Sequence, residues 1–316
     1  MKQLIAKDPA SIAVRDLATR VARTDATVLI CGQSGVGKEV YARYIHAQSR
    51  RAEGPFVAVN CAAIPENMLE AMLFGYEKGA FTGAISSHAG KFEQAQGGTL
   101  LLDEISEMDI GLQAKLLRVL QEKEIERLGS RRSMNLDVRV IATTNRDLRE
   151  AVLAGEFRED LFYRLNVFPL CLPALCERRE DILPLAEHFL ERDESIDSAQ
   201  SVLTHDAREK LLSYAWPGNV RELDNVIQRA LILRQDHRIS ERDIQFEQGM
   251  QLFSTATTGS ASAPLDGFMR DQERQRISDA LRQGRSKKEA AEILGISPRT
   301  LRYKLARLRE QQCLQG

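Results

Sequence analysis

Cysteine is scarce in this sequence of 316 residues, and the five present (Cys31, Cys61, Cys171, Cys176 and Cys313) are odd in number and scattered. Their spacing fits neither a disulfide framework nor a zinc site, since no Cys-x-x-Cys or histidine pair accompanies them. A secreted mini-scaffold is excluded, and a reducing cytoplasm is the expected compartment. No apolar run approaches the roughly 20 residues that span a bilayer, so no membrane partner is expected. Residues Met1 to Pro9 hold too little apolar sequence for a secretory leader. Neither sign of charge dominates: 44 Lys and Arg face 45 Asp and Glu, a net charge of −1. Any nucleic-acid partner must therefore be met by a local patch. The five histidines, His46, His88, His188, His205 and His237, form no ligand pattern. What is present, 43% hydrophobic and 28% charged residues, is the balance of a globular protein. The length suffices for two or three domains with cores that need no staples.

Apolar residues recur with helical spacing at Ile12, Val14, Leu17, Ala18 and Val21. Short strands are expected at Thr27–Cys31, Val57–Val59, Thr99–Leu102 and Val138–Thr143, with helices between them at Lys38–Ala47 and Leu112–Glu122. Strands apolar on both faces that alternate with helices predict an α/β fold with a doubly wound parallel sheet. After about Pro173 the strand signals stop, and Asp181–Glu191, Thr204–Tyr214 and Asn219–Leu233 read as a small helical domain. Residues 250–267 are rich in Ser, Thr, Ala and Gly, which reads as a linker. The expected division is an α/β part at 1–172, a helical lid at 173–247, a linker at 248–267 and a terminal domain at 268–316.

Gly32-Gln33-Ser34-Gly35-Val36-Gly37-Lys38 follows the first strand and opens a helix, the context of a P-loop. The glycines let backbone N–H groups turn toward phosphate oxygens, and Lys38 supplies a full positive charge for the β- and γ-phosphates. Glu39 stands where the general pattern has a Ser or Thr for Mg²⁺. An ordinary glycine-rich turn is the alternative. The strand Leu100-Leu101-Leu102 delivers Asp103 and Glu104 at its C-terminal end, where such sheets bind ligands. Asp103 would hold Mg²⁺ and Glu104 would act as general base toward an attacking water; a solvated acid pair is the alternative. At the end of the fourth strand, Thr143-Thr144-Asn145 offers a hydroxyl and an amide that can orient a water near a γ-phosphate, or simply cap a turn.

The C-terminal segment has helix-turn-helix arithmetic. Ser286–Leu294 is one helix, Gly295-Ile296-Ser297 the turn, and Pro298–Leu308 the next helix, capped by Ser297. Leu301, Leu305 and Leu308 would face its core, and Arg299, Thr300, Arg302, Tyr303 and Lys304 are the candidate DNA contacts. From Gly284 onward eight Lys or Arg stand against three Glu, about +5 in a neutral chain; a solvated basic helix is the alternative.

Gly79-Ala80-Phe81-Thr82-Gly83-Ala84, after Leu73-Phe74-Gly75-Tyr76-Glu77-Lys78, resembles the GAFTGA loop of bacterial sigma-54-dependent activators, the AAA+ ATPases also called enhancer-binding proteins. The resemblance runs from about Asp25 to the C-terminus, linker excepted. Stretches at 67–71 and 90–98 are similar to the flagellar-gene branch. The resemblance implies an AAA+ fold with a Fis-type DNA-binding domain, ATP and Mg²⁺ as cofactors, and sigma-54 RNA polymerase and enhancer DNA as partners. It implies dimers, paired through residues 268–283, that assemble into a hexameric ring. It gives Asn60 the role of a switch on Glu104, Thr144 and Asn145 that of sensor I, Arg158 and Arg164 that of arginine fingers acting in trans, and Arg221 that of sensor II. Phe81 and Thr82 would touch sigma-54. Glu39 matches the family's common Gly-Lys-Glu. Met72, Ala174 and Cys176 depart from it. Only about 25 residues precede the first strand, too few for a receiver domain, so the expectation is either a piece of a longer protein or a form regulated by a separate protein.

From the residues alone, Phe81 either protrudes or tucks into the core, and Arg158 and Arg164 either act in trans or form surface ion pairs. Three functions stay open: an ATP-hydrolysing activator, a DNA-binding repressor or architectural factor with ATP as a passive switch, and another AAA+ remodelling machine. Glu104 beside Asp103 favours hydrolysis, and the loop at 79–84 favours the activator.

Overall fold

The computed structural model describes residues 4–192, 202–234 and 238–246. The chain forms two compact units, Met1–Phe246 and Glu247–Gly316, and all described residues belong to the first. The expected linker and helix-turn-helix, with Arg299, Thr300, Arg302, Tyr303 and Lys304, lie outside the described residues.

Helix α1 (Pro9–Ala22) starts where the Asp8 carboxylate accepts the Ala10 N–H, with proline at its first turn. It buries Ser11, Ala18, Val21 and Ala22, whereas Leu17, expected inward, is 40% exposed. Strand β1 (Val28–Cys31) leads through the phosphate loop into α2 (Lys38–Ala47). Strand β2 (Phe56–Asn60) precedes α3 (Glu66–Phe74), the two-residue strands β3 (Gly75–Tyr76) and β4 (His88–Ala89), and the single turn α4 (Lys91–Gln94). Then come β5 (Thr99–Asp103), α5 (Ile110–Glu122), the hairpin β6 (Glu124–Glu126) and β7 (Ser133–Asn135), and β8 (Arg139–Thr144). Helices α6 (Leu148–Leu153) and α7 (Glu159–Leu165) precede β9 (Phe168–Cys171).

Five strands form one parallel sheet in the order β2-β5-β8-β1-β9. Helices α1 and α2 cover one face, packing Ala18, Val21, Tyr41, Ala42 and Ile45 against Ile30, Leu101 and Ile141. Helices α3, α5, α6 and α7 cover the other, where Leu73, Leu116 and Leu161 meet Leu29, Leu100 and Leu102. Leu100, Leu101 and Leu102 are fully buried, so each truncation to alanine would cost about 2–5 kcal/mol. This two-sided burial is why those strands read as uninterrupted apolar runs.

The fifth strand, β9, is absent from the strands that the sequence predicts. Pro169 interrupts its apolar run, and a proline is tolerated because β9 is an edge strand and needs no donor on its outer side. The two hairpins were also not legible, their strands being two or three residues long.

Beyond the sheet, α8 (Ile182–Leu190), α9 (His205–Ser213) and α10 (Asn219–Leu233) enclose a separate core centred on Trp216. The Trp216 indole N–H donates to the Leu211 carbonyl at 2.9 Å. Ile5 packs against the same core, so the N-terminal segment straps this helical part. Among the described residues, no helix is long and apolar enough to cross a membrane.

Candidate ATP site and its coupling loop

The phosphate loop owes its shape to glycine. Gly35 and Gly37 sit at φ 75° and 107°, a region where a side chain is strained. A Cβ at Gly35 would also lie 2.4 Å from the Gly218 carbonyl. Among the described residues, the N–H groups of Gly35, Gly37, Lys38 and Glu39 have no hydrogen-bond acceptor. These donors converge at the N-terminus of α2, the arrangement that receives an anion. The Lys38 ammonium turns back onto the Gly32 carbonyl at 2.9 Å and pairs with Glu104 Oε1 at 3.2 Å.

Parallel pairing brings β5 and β8 side by side, so the acid pair and the Thr143-Thr144-Asn145 end meet. The Thr143 hydroxyl donates to Asp103 Oδ1 at 2.5 Å and accepts the Glu104 N–H at 3.0 Å. Asp103 Oδ2 makes no hydrogen bond or ion pair among the described residues. Glu104 itself adopts φ 54°, a strained conformation for a non-glycine residue, held by Thr143 and by the Asn145 N–H, which donates to Glu104 Oε2 at 3.1 Å. Thr144, the hydroxyl singled out from the sequence, is buried and closes the turn to Arg146 instead, accepting its N–H at 3.1 Å. The strand's alternation decides this: of two adjacent threonines only one faces the acid pair. Cys61 lies beneath the site, where burial and then the Asp103 and Glu104 carboxylates push its thiol up to about 12.

The helical part reaches onto the loop from above. Arg221 donates its N–H to the Gly35 carbonyl at 3.2 Å and its guanidinium to the Ser34 hydroxyl at 3.0 Å. Asn219, fully buried at φ 54°, donates to Gln33 Oε1 at 3.0 Å and to the Ser34 carbonyl at 3.2 Å, and accepts the Leu175 N–H at 2.8 Å. Arg178 donates to the Val36 carbonyl at 2.7 Å. Sequence reasoning singled out Arg221, named Thr143 only as part of a polar strand end, and missed the roles of Asn219 and Arg178. Asn219 had one signal, an amide placed directly after Pro217-Gly218 at a helix start, where left-handed asparagines gather.

A family model of the sigma-54 interaction domain matches residues 4–171, more than half of the chain. The chain belongs to the sigma-54-dependent activators. Further models match an AAA+ ATPase lid domain at residues 176–260 and the Fis family of bacterial regulatory proteins at 268–308. The chain is 56% identical over 331 residues to the response regulator protein FleR of Pseudomonas aeruginosa, covering 97% of this chain and 70% of that protein. It is 47% identical to the transcriptional regulatory protein FlbD of Caulobacter vibrioides, covering 96% and 70%. Among solved structures it is similar to NtrX from Brucella abortus in complex with ATP, at 35% identity and a TM-score of 0.69, covering 98% of this chain and 69% of that one. This activator is therefore an AAA+ ATPase with a lid and a Fis-type DNA-binding domain, and the three open functions narrow to the first.

The remaining candidate residues of the activator do not share one edge of the sheet: Asn60 lies at the strand ends that carry Asp103, whereas Arg164 lines a cavity with Asp25, Thr27, Asp137 and Arg139 at the opposite, N-terminal ends of the strands. Asn60 ends β2 beside Asp103, but its side-chain oxygen accepts the Ala62 N–H at 2.9 Å. Arg158 pairs with Asp160 at 2.7 Å, and its N–H donates to the buried Gln113 at 2.8 Å. Arg164 donates to the Leu120 carbonyl at 2.7 Å. Among the described residues, neither arginine bonds to the phosphate loop of its own chain.

The segment Gly79–Ala84 closes on itself, the Gly79 N–H donating to the Ala84 carbonyl at 2.9 Å, with Gly79 and Gly83 at φ 84° and 106°. Phe81 does not tuck into the core. It is 46% exposed and stands edge-on to Tyr76 with ring centres 5.0 Å apart. Below the loop, Arg127 bridges Glu77 at 3.0 Å and Glu93 at 2.7 Å. The Ser87 hydroxyl, and after it Arg127, hold the Glu77 carboxyl below its ordinary range. Backbone bonds from Leu128 to Gly75 and from Glu77 to Leu128 tie the loop base to the β6–β7 hairpin. Met72 is partly buried against the main core, and Cys176 is exposed.

Proposed function

We propose that ATP is hydrolysed at Asp103 and Glu104 and that the resulting change moves the Gly79–Ala84 loop against sigma-54 in RNA polymerase. The observation that carries this reading is the Lys38–Glu104 ion pair, 7% and 17% exposed at its two ends. The lysine that would meet phosphates is held by the carboxylate that would activate water, so entry of an anion must break one contact and free the other group. Phosphates would take the N–H groups of Gly35, Gly37, Lys38 and Glu39, with Gln33, Ser34 and Val36 shaping the loop and Gly32 starting it. Arg221 would reach the nucleotide from the lid.

Asp103 fits a divalent ion, because its Oδ2 is uncommitted and Thr143 fixes the carboxylate's orientation. A bound Mg²⁺ would neutralise charge on the β- and γ-phosphate oxygens. Glu39 offers no hydroxyl to it, so Asp103 carries that ligation alone among the candidate residues. Asn60, Thr144 and Asn145 would respond to the γ-phosphate, Asn145 directly through its hold on Glu104. Arg158 and Arg164 would complete the site of a neighbouring copy, which requires a closed ring of subunits; a hexamer built from dimers is the proposed assembly. Arg299, Thr300, Arg302, Tyr303 and Lys304 would bind enhancer DNA, with salt-dependent affinity. Work would take place in the cytoplasm, and flagellar genes are the proposed targets, in keeping with the likeness to FleR.

The loop's role is tested by Thr82→Ala. ATP turnover should stay near wild type while open-complex formation with sigma-54 polymerase falls by at least about tenfold, the equivalent of 1.4 kcal/mol. Undiminished open-complex formation would reject the role.

A further inference from the structure

We propose that Cys31 and Cys171 form an oxidisable dithiol at the root of the phosphate loop, a modification site for peroxide-class oxidants that closes to a disulfide and slows ATP turnover. Cys31 ends β1 and Cys171 ends β9, and the parallel register sets the two opposite each other. Partners in register present their side chains to the same face of a sheet. Neighbouring strands run about 4.8 Å apart, inside the Cα separation of about 4.4–6.8 Å that a disulfide bridges. β9 is the edge strand, and among the described residues no further strand lies beyond Cys171 in the sheet.

The two thiols differ in access. Cys171 is exposed and Cys31 half-buried, so an oxidant in solution meets Cys171 first. Burial, and after it the neighbouring Cys171, push the Cys31 thiol up to about 12, so Cys31 is not the thiol that reacts first with the oxidant; its place opposite Cys171 in the register is what offers it to the second step. Lys38 also acts on Cys31 electrostatically, so the pair lies within reach of the ATP site. The other two described cysteines are internal controls, Cys61 buried and Cys176 exposed.

The chemistry balances without a metal. The Cys171 sulfur attacks one oxygen of hydrogen peroxide, the O–O bond breaks, and one water leaves with Cys171 as a sulfenic acid. The Cys31 sulfur then attacks the Cys171 sulfur. The hydroxyl departs with the Cys31 proton as a second water, and the S–S bond remains. Two thiols give up two electrons, and one peroxide takes them.

Closure would be felt at the loop because there is no slack beside it. The Leu172 N–H donates to the Cys31 carbonyl at 2.8 Å. A methyl group at Gly32 would lie 3.2 Å from the Leu172 carbonyl oxygen and 3.1 Å from Val36 Cγ1. A disulfide draws the two Cβ atoms to about 3.8 Å, turning both strand ends where the loop begins. A misplacement of about 1 Å costs on the order of a hundredfold in rate. The shift here is smaller, and a loss on the order of tenfold in kcat/KM for ATP is expected.

The test uses the full chain treated with hydrogen peroxide, followed by alkylation of free thiols, digestion and mass analysis. A peptide linking Cys31 to Cys171 is expected, with ATP turnover falling on the order of tenfold and returning on addition of dithiothreitol. Cys171→Ser should keep the untreated activity and lose the sensitivity, Cys31→Ala should lose the linked peptide, and Cys176→Ser should behave as wild type. Oxidation of Cys171 to a sulfinic acid with Cys31 still reduced would overturn the proposal. So would a bridge through Cys176 or between chains, or a Cys31–Cys171 bridge that leaves ATP kinetics unchanged.

Discussion

Replacing Glu104 by glutamine keeps the side chain's size and removes both its charge and its ability to accept a proton. Two consequences follow from the geometry, and they point in opposite directions. A positioned general base contributes about 10²–10⁴-fold to a rate, so kcat should fall by that factor, about 3–5 kcal/mol in activation free energy. Binding should not fall with it. Lys38 is paired with Glu104 Oε1 at 3.2 Å, and ATP must displace that pair to reach the ammonium. Removing the carboxylate frees Lys38 in advance and should tighten ATP binding by up to about 1 kcal/mol, the scale of a partly screened pair. The Asn145 N–H, which donates to Glu104 Oε2 at 3.1 Å, can still meet the amide oxygen of glutamine, so the strained backbone at 104 keeps its support. Phosphate release at saturating ATP gives kcat, and titration with a fluorescent ATP analogue gives Kd. A kcat within threefold of wild type, or a Kd more than tenfold weaker, would refute the assignment of Glu104 as base and of the ion pair as a competitor of phosphate.

Two further outcomes follow from buried polar groups. Asn219→Ala removes three hydrogen bonds to Gln33, Ser34 and Leu175, about 3 kcal/mol at roughly 1 kcal/mol each; Asn219→Gly loses the same bonds but relieves the left-handed backbone. Both should raise KM for ATP more than they lower kcat, with Asn219→Gly the more thermostable of the two, and an unchanged KM in both would remove Asn219 from the site. His46 is buried against Phe56, its Nδ1 2.9 Å from the Thr99 hydroxyl, and burial lowers its pKa below 6.5. Between the lowered value and 6.5 the unfolded chain binds the extra proton, so stability is whole above about pH 6.5 and declines as pH falls through that window, by at most about 1.4 kcal/mol per pH unit. Urea midpoints from pH 5 to 8 should show this slope in wild type and a shallower one in His46→Gln; equal slopes would contradict it.

The parts of the site legible in the sequence are those whose chemistry needs contiguous residues. A loop that cradles phosphates must carry its glycines and Lys38 together, and a buried strand ending in Asp103-Glu104 announces itself by its apolar run. What escaped depends on neighbours distant in the chain. Thr143 meets Asp103 only because β5 and β8 pair in one register, and a one-residue difference would have presented Thr144 instead. Asn219 touches Gln33 only because the lid folds onto the loop. Gln113 supports Arg158 across the α5–α7 contact. β9 hid behind Pro169, which an edge strand admits and a central one does not.

The claim on which the rest depends is that each ATP is cleaved between two subunits, with Lys38 and Glu104 from one and Arg158 and Arg164 from the next. It is tested by mixing two inactive variants, Lys38→Ala and Arg158→Ala, and measuring ATP turnover of the mixture. In a random ring about a quarter of the sites pair an intact phosphate loop with an intact neighbouring arginine. Turnover should therefore rise from near zero to a substantial fraction of wild type. Mixed rings that form, as judged by native mass measurement, yet cleave no more ATP than either variant alone would contradict the account.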